Sequence, residues 1–242
     1  MGLTYIIGDV HGEYETLLTL VAKLPKNAEL FFVGDLIDRG ASSREVIAFV
    51  RENNHKVVLG NHEELMINYG TSFTKTYPKS TNPSFLHNWY NNGGDATLFS
   101  YGLLKYDKKE GMMCIENPTR LKQFLDDIEW LKSLPLYIEL PQKINNLPVV
   151  ITHASSADVW HHHNNPDGED TFREYALWHR KNPKPTTKIY NIFGHTPVEF
   201  GVEVAEHFAN VDTGCYIKKH GYNELSAFCV ETQEVVSVSR VG

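Results

Sequence analysis

The chain reads as an α/β protein with two β-sheets packed face to face and helices outside. Three observations predict it. Up to about residue 60, short apolar β-rich runs alternate with helical periodicity; each run stops at a glycine followed by a polar residue; and after Pro135 the pattern turns to strands. Taken in order, Leu3 to Ile7 is a β-rich run ending at Gly8-Asp9, and Glu13 to Lys23 carries Leu17, Leu18 and Val21 on one helical face. Leu30 to Val33 ends in Gly34-Asp35. The helix predicted after it, Ser43 to Glu52, has Val46, Ile47, Phe49 and Val50 apolar and Ser42 or Ser43 as its cap. His55 to Leu59 ends in Gly60-Asn61, before a third helical stretch from about Glu63. Such alternation predicts a largely parallel sheet whose ligands sit at the carboxyl ends of its strands. From Tyr69 to Asn92, Thr, Ser, Asn and Pro predominate and apolar periodicity lapses, which predicts a surface excursion with a short helix around Phe85 to Tyr90. Asp95 to Tyr101 and Arg120 to Lys132 read as helices, the second with Leu121, Phe124, Leu125, Ile128 and Leu131 at amphipathic spacing. Strands are predicted at Leu136 to Leu140, Val149 to Thr152, Lys188 to Phe193, Val202 to Phe208 and Ser226 to Val230. With neither a Gly/Ser linker nor a composition break, residues 1–242 read as a single domain.

Charge and cysteine usage narrow the function classes. Lys and Arg number 23 against 30 Asp and Glu, a formal charge of -7, so no broad basic face for nucleic acid is expected. Cys114, Cys215 and Cys229 are odd in number and lack metal-type spacing, which argues against a disulfide framework and fits a reducing, cytoplasmic setting. Neither a basic leader nor an apolar run near the ~20 residues a bilayer needs is seen, so no membrane partner is expected. Oligomeric state is not legible.

Asp9 and His11, Asp35 and Asp38, Asn61 and His62, His153, and His195 all sit directly after an apolar β-like run. A dinuclear transition-metal site needs mixed oxygen and imidazole ligands, one carboxylate shared by both ions, and loops stiff enough to hold them ~3.5–4 Å apart. Glycines 8, 34, 60 and 194 supply tight turns for that purpose. The chemistry served is phosphoester hydrolysis by a metal-activated water, with Arg39 and Arg180 as forked donors to the phosphate.

The ordered series Gly8-Asp-Val-His-Gly12, Gly34-Asp-Leu-Ile-Asp-Arg-Gly40, Gly60-Asn-His-Glu63, His153-Ala154, Gly194-His-Thr196 and Asp212-Thr-Gly214 resembles the calcineurin-like metallophosphoesterases. Within them it is similar to the phosphoprotein phosphatase group, particularly the short bacterial and phage-type Ser/Thr phosphatases. The resemblance implies two mixed β-sheets packed as a sandwich flanked by helices, a four-layer α/β/β/α metallophosphatase fold. It implies that Asp9, His11 and Asp35 bind one divalent ion, with Asp35 bridging to a second held by Asn61, His153 and His195. Mn²⁺ is the expected metal, although such ligands suit Fe and Zn²⁺ as well. His62 would protonate the leaving group, Asp38 would orient its imidazole, and Arg39 and Arg180 would clamp the phosphate. Arg180 follows Trp178-His179 in a stretch similar to the family's Trp-x-Arg.

The resemblance implies a serine/threonine-type protein phosphatase acting by direct attack of a metal-bridging hydroxide on phosphorus. One departure bears on the substrate. Many protein phosphatases of the group carry Arg before Gly-Asn-His-Glu, whereas Leu59 stands here, as in the related diadenosine tetraphosphate hydrolases. The substrate thus stays open between a phosphoprotein or small phosphomonoester and a bis(5'-nucleosyl)tetraphosphate, with a catalytically silent metal-binding scaffold as the reading from another class. His161-His162-His163 lies in a polar stretch and reads as a solvated loop. Cys215 reads as a buried structural thiol and Asp212 as a turn residue, while Trp89 and Tyr90 read equally well as an entrance or as packing under a loop.

Overall fold

In chain order the computed structural model has β1 (Thr4–Ile7), α1 (Tyr14–Val21), β2 (Glu29–Phe32), α2 (Ser43–Glu52), β3 (Lys56–Val57), α3 (Asn61–Leu65), α4 (Thr71–Thr76), α5 (His87–Trp89) and α6 (Asp95–Ser100). There follow β4 (Leu104–Asp107), β5 (Gly111–Cys114), α7 (Pro118–Leu131), β6 (Tyr137–Ile144), β7 (Leu147–Thr152) and α8 (Glu169–Trp178). The chain then runs through β8 (Tyr190–Phe193), β9 (Glu203–Val204), β10 (Phe208–Asn210), β11 (Glu224–Cys229) and β12 (Val235–Ser239). The structure describes residues 2–77, 87–109 and 111–242.

Successive side chains of a strand go to opposite faces, and here both faces are covered. Tyr5, Ile7, Leu30 and Phe32 join one buried cluster with α1, α2 and α7, whereas Ile6, Phe31 and Val33 join another with Val149, Ile151 and Ile192 of the second sheet. Val150, between Val149 and Ile151, faces a third cluster with Ala157 and Ile189. Helix, sheet, sheet and outer segment therefore stack as four layers, and the central strands β1, β2, β7 and β8 are mostly apolar because both their faces are covered, whereas β6, β9 and β12 are partly exposed.

The first sheet has the order β12-β11-β1-β2-β3 and the second β6-β7-β8-β10-β9. β1, β2 and β3 are mutually parallel, while β11 and β12 are added antiparallel, so the sheet is mixed where the early alternation alone predicted a largely parallel one. The second sheet is also mixed: β7, β8 and β10 are parallel, and β6 and β9 antiparallel. The single strand expected over 202–208 is two short antiparallel ones, β9 and β10. The β4–β5 hairpin, α8 and β12 were not legible in the sequence.

The largest departure is the stretch read as an excursion. Its described residues, which leave out 78–86, are helical from Asn61 to Thr76 and again from His87 to Ser100, and Phe73 and Trp89 among them are core residues buried against Phe124. Two π-helical turns, Met66–Gly70 and Tyr90–Gly94, explain why the periodicity was missed. An extra residue per turn resets the phase of the apolar face, and Thr and Asn weaken helix propensity besides. Of the short helix expected there, Phe85 and Leu86 lie outside the described residues.

Candidate active site

The carboxyl ends of β1, β2, β3, β7 and β8 meet along one edge of the sandwich, and the loops leaving them converge on Asp35. Its Oδ1 lies 3.4 Å from His153 Nε2 and accepts from the His62 amide at 3.1 Å. Its Oδ2 lies 3.6 Å from His11 Nε2 and 3.8 Å from His62 Nε2. Two groups of possible metal ligands result, His11–Asp35–His62 and Asp35–His153–His195, with Asp35 common to both. Asp9, expected in the first group, stands slightly apart: its Oδ2 is 4.0 Å from His11 Nε2, and both its oxygens accept from the His195 amide at 3.2 Å.

The loops are held in unfavourable backbone conformations to achieve this. His11, Asp35, Asp38, Arg39 and His195 all have positive φ, between 47° and 70°. For residues with a Cβ such strain costs on the order of 1–3 kcal/mol each and persists only where the surroundings enforce it. Glu63 is part of that enforcement, since its carboxylate accepts from the amides of Asp35 and Leu36 at 2.8 Å and of Gly60 at 3.0 Å, locking two loops together. Glycine is required at 60 and 194, where a Cβ would collide with Glu63 Oε2 and with the Asp9 carboxylate respectively.

The donor set fits a divalent cation. His153 gives its Nδ1 proton to the Val33 carbonyl at 2.9 Å, so the neutral ring turns a bare Nε2 lone pair inward. That nitrogen is 2.7 Å from Asn61 Oδ1 and 3.1 Å from His195 Nδ1, which is itself 2.9 Å from the same oxygen. His195 Nε2 is buried without a partner among the described residues. Such crowding of lone pairs is repulsive unless a cation lies among them. His11 is built alike, its Nδ1 donating to the Ile37 carbonyl at 2.8 Å and its Nε2 aimed at Asp35 and Asp9.

Electrostatics keep these rings neutral, the form a metal needs. Burial, then the neighbouring His62, holds His11 well below its ordinary pKa; burial lowers His153; and burial with the nearby His153 lowers His195 to about 3. Burial alone would raise Asp35, but the surrounding imidazoles, His153 first and then His62, hold it below its ordinary value; His62, whose own pKa is raised, is the ring that carries that charge while the others stay neutral.

His62 differs from the other three. Its Nδ1 donates to Asp38 Oδ2 at 2.7 Å, and the carboxylates of Asp35 and Asp38 outweigh burial to raise its pKa. Asp38 also accepts from Trp89 Nε1 at 2.9 Å and Thr97 Oγ1 at 2.6 Å, both side chains being fully buried. Trp89 is thus neither an entrance nor mere packing. Arg39 donates to His62 Nε2 at 3.2 Å and lies over the Tyr216 ring at 4.0 Å. Arg180 donates to the His195 carbonyl at 3.4 Å. These arginines, with Trp178, Asn92 and Tyr216, rim a pocket of about 90 Å³. The sequence singles out Trp89 but not its bond to Asp38, and gives no sign of Thr97 or Tyr216, because each acts through a partner far away in the chain.

Asp212 is buried in the same pocket wall, where burial and the charge of Asp35 push it up to about 7 despite the Gly214 amide it accepts at 2.9 Å. Cys215 is buried, and burial raises its thiol. The histidine run is not the solvated loop expected. His163 stacks on Trp160 with ring centroids 3.9 Å apart and joins the aromatic cluster around Phe172, His162 Nδ1 is buried against Gly168, and His161 alone of the three is exposed.

Comparisons with known proteins agree with this geometry. The family model for calcineurin-like phosphoesterases matches residues 3–215. The symmetrical bis(5'-nucleosyl)-tetraphosphatase of Actinobacillus pleuropneumoniae serotype 5b is 28% identical over 163 residues, covering 65% of this chain and 46% of that enzyme. The enzyme of the same name from Coxiella burnetii (strain Dugway 5J108-111) is 27% identical over 203 residues, covering 81% and 55%. The chain thus spans about half the length of the curated relatives it matches. Among solved structures, one provisionally assigned as a diadenosine tetraphosphatase superposes with a TM-score of 0.60 at 19% identity, over 100% of this chain and 95% of that one. A protein serine/threonine phosphatase from Saccharomyces cerevisiae gives 0.57 at 17%, over 100% and 80%; both show a shared fold.

Proposed function

The chain belongs to the calcineurin-like phosphoesterase family, and from that premise we propose that it is a metal-dependent phosphohydrolase whose substrate is a bis(5'-nucleosyl)tetraphosphate. The observation that carries the choice of substrate is position 59. The protein phosphatases it resembles place an arginine there, whereas Leu59 is 4% exposed and its amide donates to the Pro135 carbonyl at 2.8 Å, so no guanidinium reaches the phosphate from this loop. The names of its relatives support the same reading. The phosphoprotein reading is weaker, since the likeness to the yeast phosphatase is one of fold.

In this reading Asp9, His11 and Asp35 would hold one divalent ion, and Asn61, His153 and His195, with Asp35, would hold a second. Oxygen and imidazole donors suit Mn²⁺, Fe and Zn²⁺, of which Mn²⁺ is our choice. When bound, the metals supply an acidified water and offset charge on the phosphoryl oxygens. The chain's own residues do the rest. Arg39 and Arg180 orient the phosphate by forked hydrogen bonds. As Arg39 turns to the phosphate it releases His62 Nε2, which can then carry a proton to the leaving-group oxygen. Asp38, fixed by Trp89 and Thr97, holds the imidazole in that orientation and favours its protonated form.

The deciding experiment compares kcat/KM on diadenosine tetraphosphate and on a phosphoserine peptide under one Mn²⁺ concentration. A higher value for the dinucleotide is expected. The reverse order would return the protein to the phosphoprotein phosphatases.

A further inference from the structure

The pocket over the metal-ligand cluster is about 90 Å³. That is far below the ~300–1,000 Å³ typical of small-molecule sites, so it offers room for a phosphate group and little for a nucleoside. A nucleoside end calls for a second, larger concavity. A cavity of about 730 Å³ opens on the same edge of the sandwich, lined by Phe200, Lys218, Lys219, His220 and Tyr222. This lies within the range of ~300–1,000 Å³ typical of small-molecule sites.

Two loops connect the pocket with the cavity. One runs from Pro197, in the catalytic wall, to Phe200; the other runs from Tyr216, in the same wall, to Lys218. Three residues of extended chain span at most ~11 Å, a reach comparable with a nucleoside diphosphate. The loops are tied to each other, as the Phe200 amide donates to the Gly221 carbonyl at 2.7 Å and Lys219 pairs with Glu199 at 3.0 Å.

The cavity's chemistry is that of a base and its phosphate. Phe200 is 76% exposed and has a positive φ of 66°, so an aromatic ring is held out to solvent on strained backbone. It lies over Gly221 and packs edge to face with His220, ring centroids 5.7 Å apart, which leaves one face open. Lys219 pairs with Glu199 and Glu224 also lines the cavity, while Lys218 is exposed with no ion pair among the described residues and is placed to meet an anion.

We propose that this cavity is a nucleoside subsite, in which Phe200 stacks on a purine base and Lys218 meets the adjoining phosphate while the scissile phosphate lies between Arg39 and Arg180. The proposal rests on the dinucleotide reading above for its biological substrate, but its binding claim is testable separately. The probe is ADP, titrated calorimetrically into the Mn²⁺-loaded protein. Base stacking on an aromatic side chain is worth about tenfold in affinity, so Phe200→Ala is expected to weaken ADP binding about tenfold. Lys218→Glu, which removes no packing, is expected to weaken it as well. In parallel, the ratio of kcat/KM for diadenosine tetraphosphate to that for p-nitrophenyl phosphate should fall about tenfold in Phe200→Ala. Unchanged ADP affinity in both variants overturns the subsite whatever the enzyme's preference. So does a dimer that Phe200→Ala dissolves without changing ADP affinity, which would assign the ring to a second copy. A wild-type preference for the phosphopeptide, with ADP binding still lost in the variants, overturns the dinucleotide reading and leaves the subsite standing.

Discussion

Two sets of groups around a buried acid touch opposite ends of α2, one at Ser43 and one at Arg51, and they are built on opposite principles. Around Asp127, on α7, every group is matched: Tyr101 donates to one carboxylate oxygen at 2.6 Å, Arg51 pairs with the other, and Trp130 lies beside the guanidinium. The backbone there is ordinary helix. Around Asp35, four imidazoles crowd one carboxylate, lone pairs face one another, His195 Nε2 lacks a partner among the described residues, and five residues carry positive φ. Burial is common to both; completeness is not. A buried charge with its partners in place is architecture, whereas one left incomplete on strained loops is a site awaiting something.

That contrast breaks first at His62. His62→Asn is expected to lower kcat on phenyl phosphate, whose phenol has a pKa of about 10, by ~10²–10⁴, with a smaller loss on p-nitrophenyl phosphate, whose more acidic phenol leaves without a proton. Equal losses on the two substrates would show that His62 serves binding and not proton delivery. Trp89→Phe comes next. It keeps an aromatic ring beside Phe124 but removes the 2.9 Å donor to Asp38, and a roughly tenfold fall in kcat at unchanged KM is expected, by analogy with loss of an outer-shell partner at a metal site. A change confined to the urea midpoint would make Trp89 architectural after all. Asp127→Ala is the counterpart on the other side. It leaves the Tyr101 hydroxyl without its acceptor, and a loss of about 1–3 kcal/mol in unfolding free energy is expected with turnover unchanged.

The same contrast separates what was legible in the sequence from what was not. Asp9, His11, Asp35, Asn61, His62, His153 and His195 could be picked out because each follows an apolar strand, all but His153 at a Gly-marked turn, a local and repeating signal. The two-sheet sandwich was legible for the same reason, since strands covered on both faces are continuous apolar runs. Trp89 and Thr97 reach Asp38 across 51 and 59 residues, and nothing near them in the chain marks that purpose. Helices around both residues were legible, but the π-helical turn at Tyr90–Gly94 between them sets which faces they share, and no local pattern announces it. Positive φ at His11 and His195 was equally invisible, because the strain is imposed by partners in other loops.

The smallest effect concerns the carboxylates that the imidazoles do not neutralise. Burial, then the charges of Asp212 and Asp35, holds Asp9 well above its ordinary pKa; burial and the charge of Asp35 push Asp212 up to about 7. A carboxyl whose folded pKa lies above its unfolded value stabilises the fold most at low pH, below about 3.9, and loses that contribution as pH rises through the folded value. Chelator-treated protein should therefore lose Tm steadily between pH 5.5 and 8. Mn²⁺ acts in the opposite sense, because it binds the deprotonated ligands and so binds more tightly as pH rises. At a hundredfold excess over Kd it adds about 2.7 kcal/mol, and each kcal/mol is worth roughly 2–4 °C in a domain of this size. The Tm gained on adding Mn²⁺ should be several degrees larger at pH 8 than at pH 5.5, read by scanning fluorimetry. Asp127→Ala should lower both curves and leave that increment unaltered, since its cluster holds no cation site. An increment that is the same at both pH values would mean that Asp9 and Asp212 are already ionised in the folded chain, and the region around Asp35 would then be as complete as the region around Asp127.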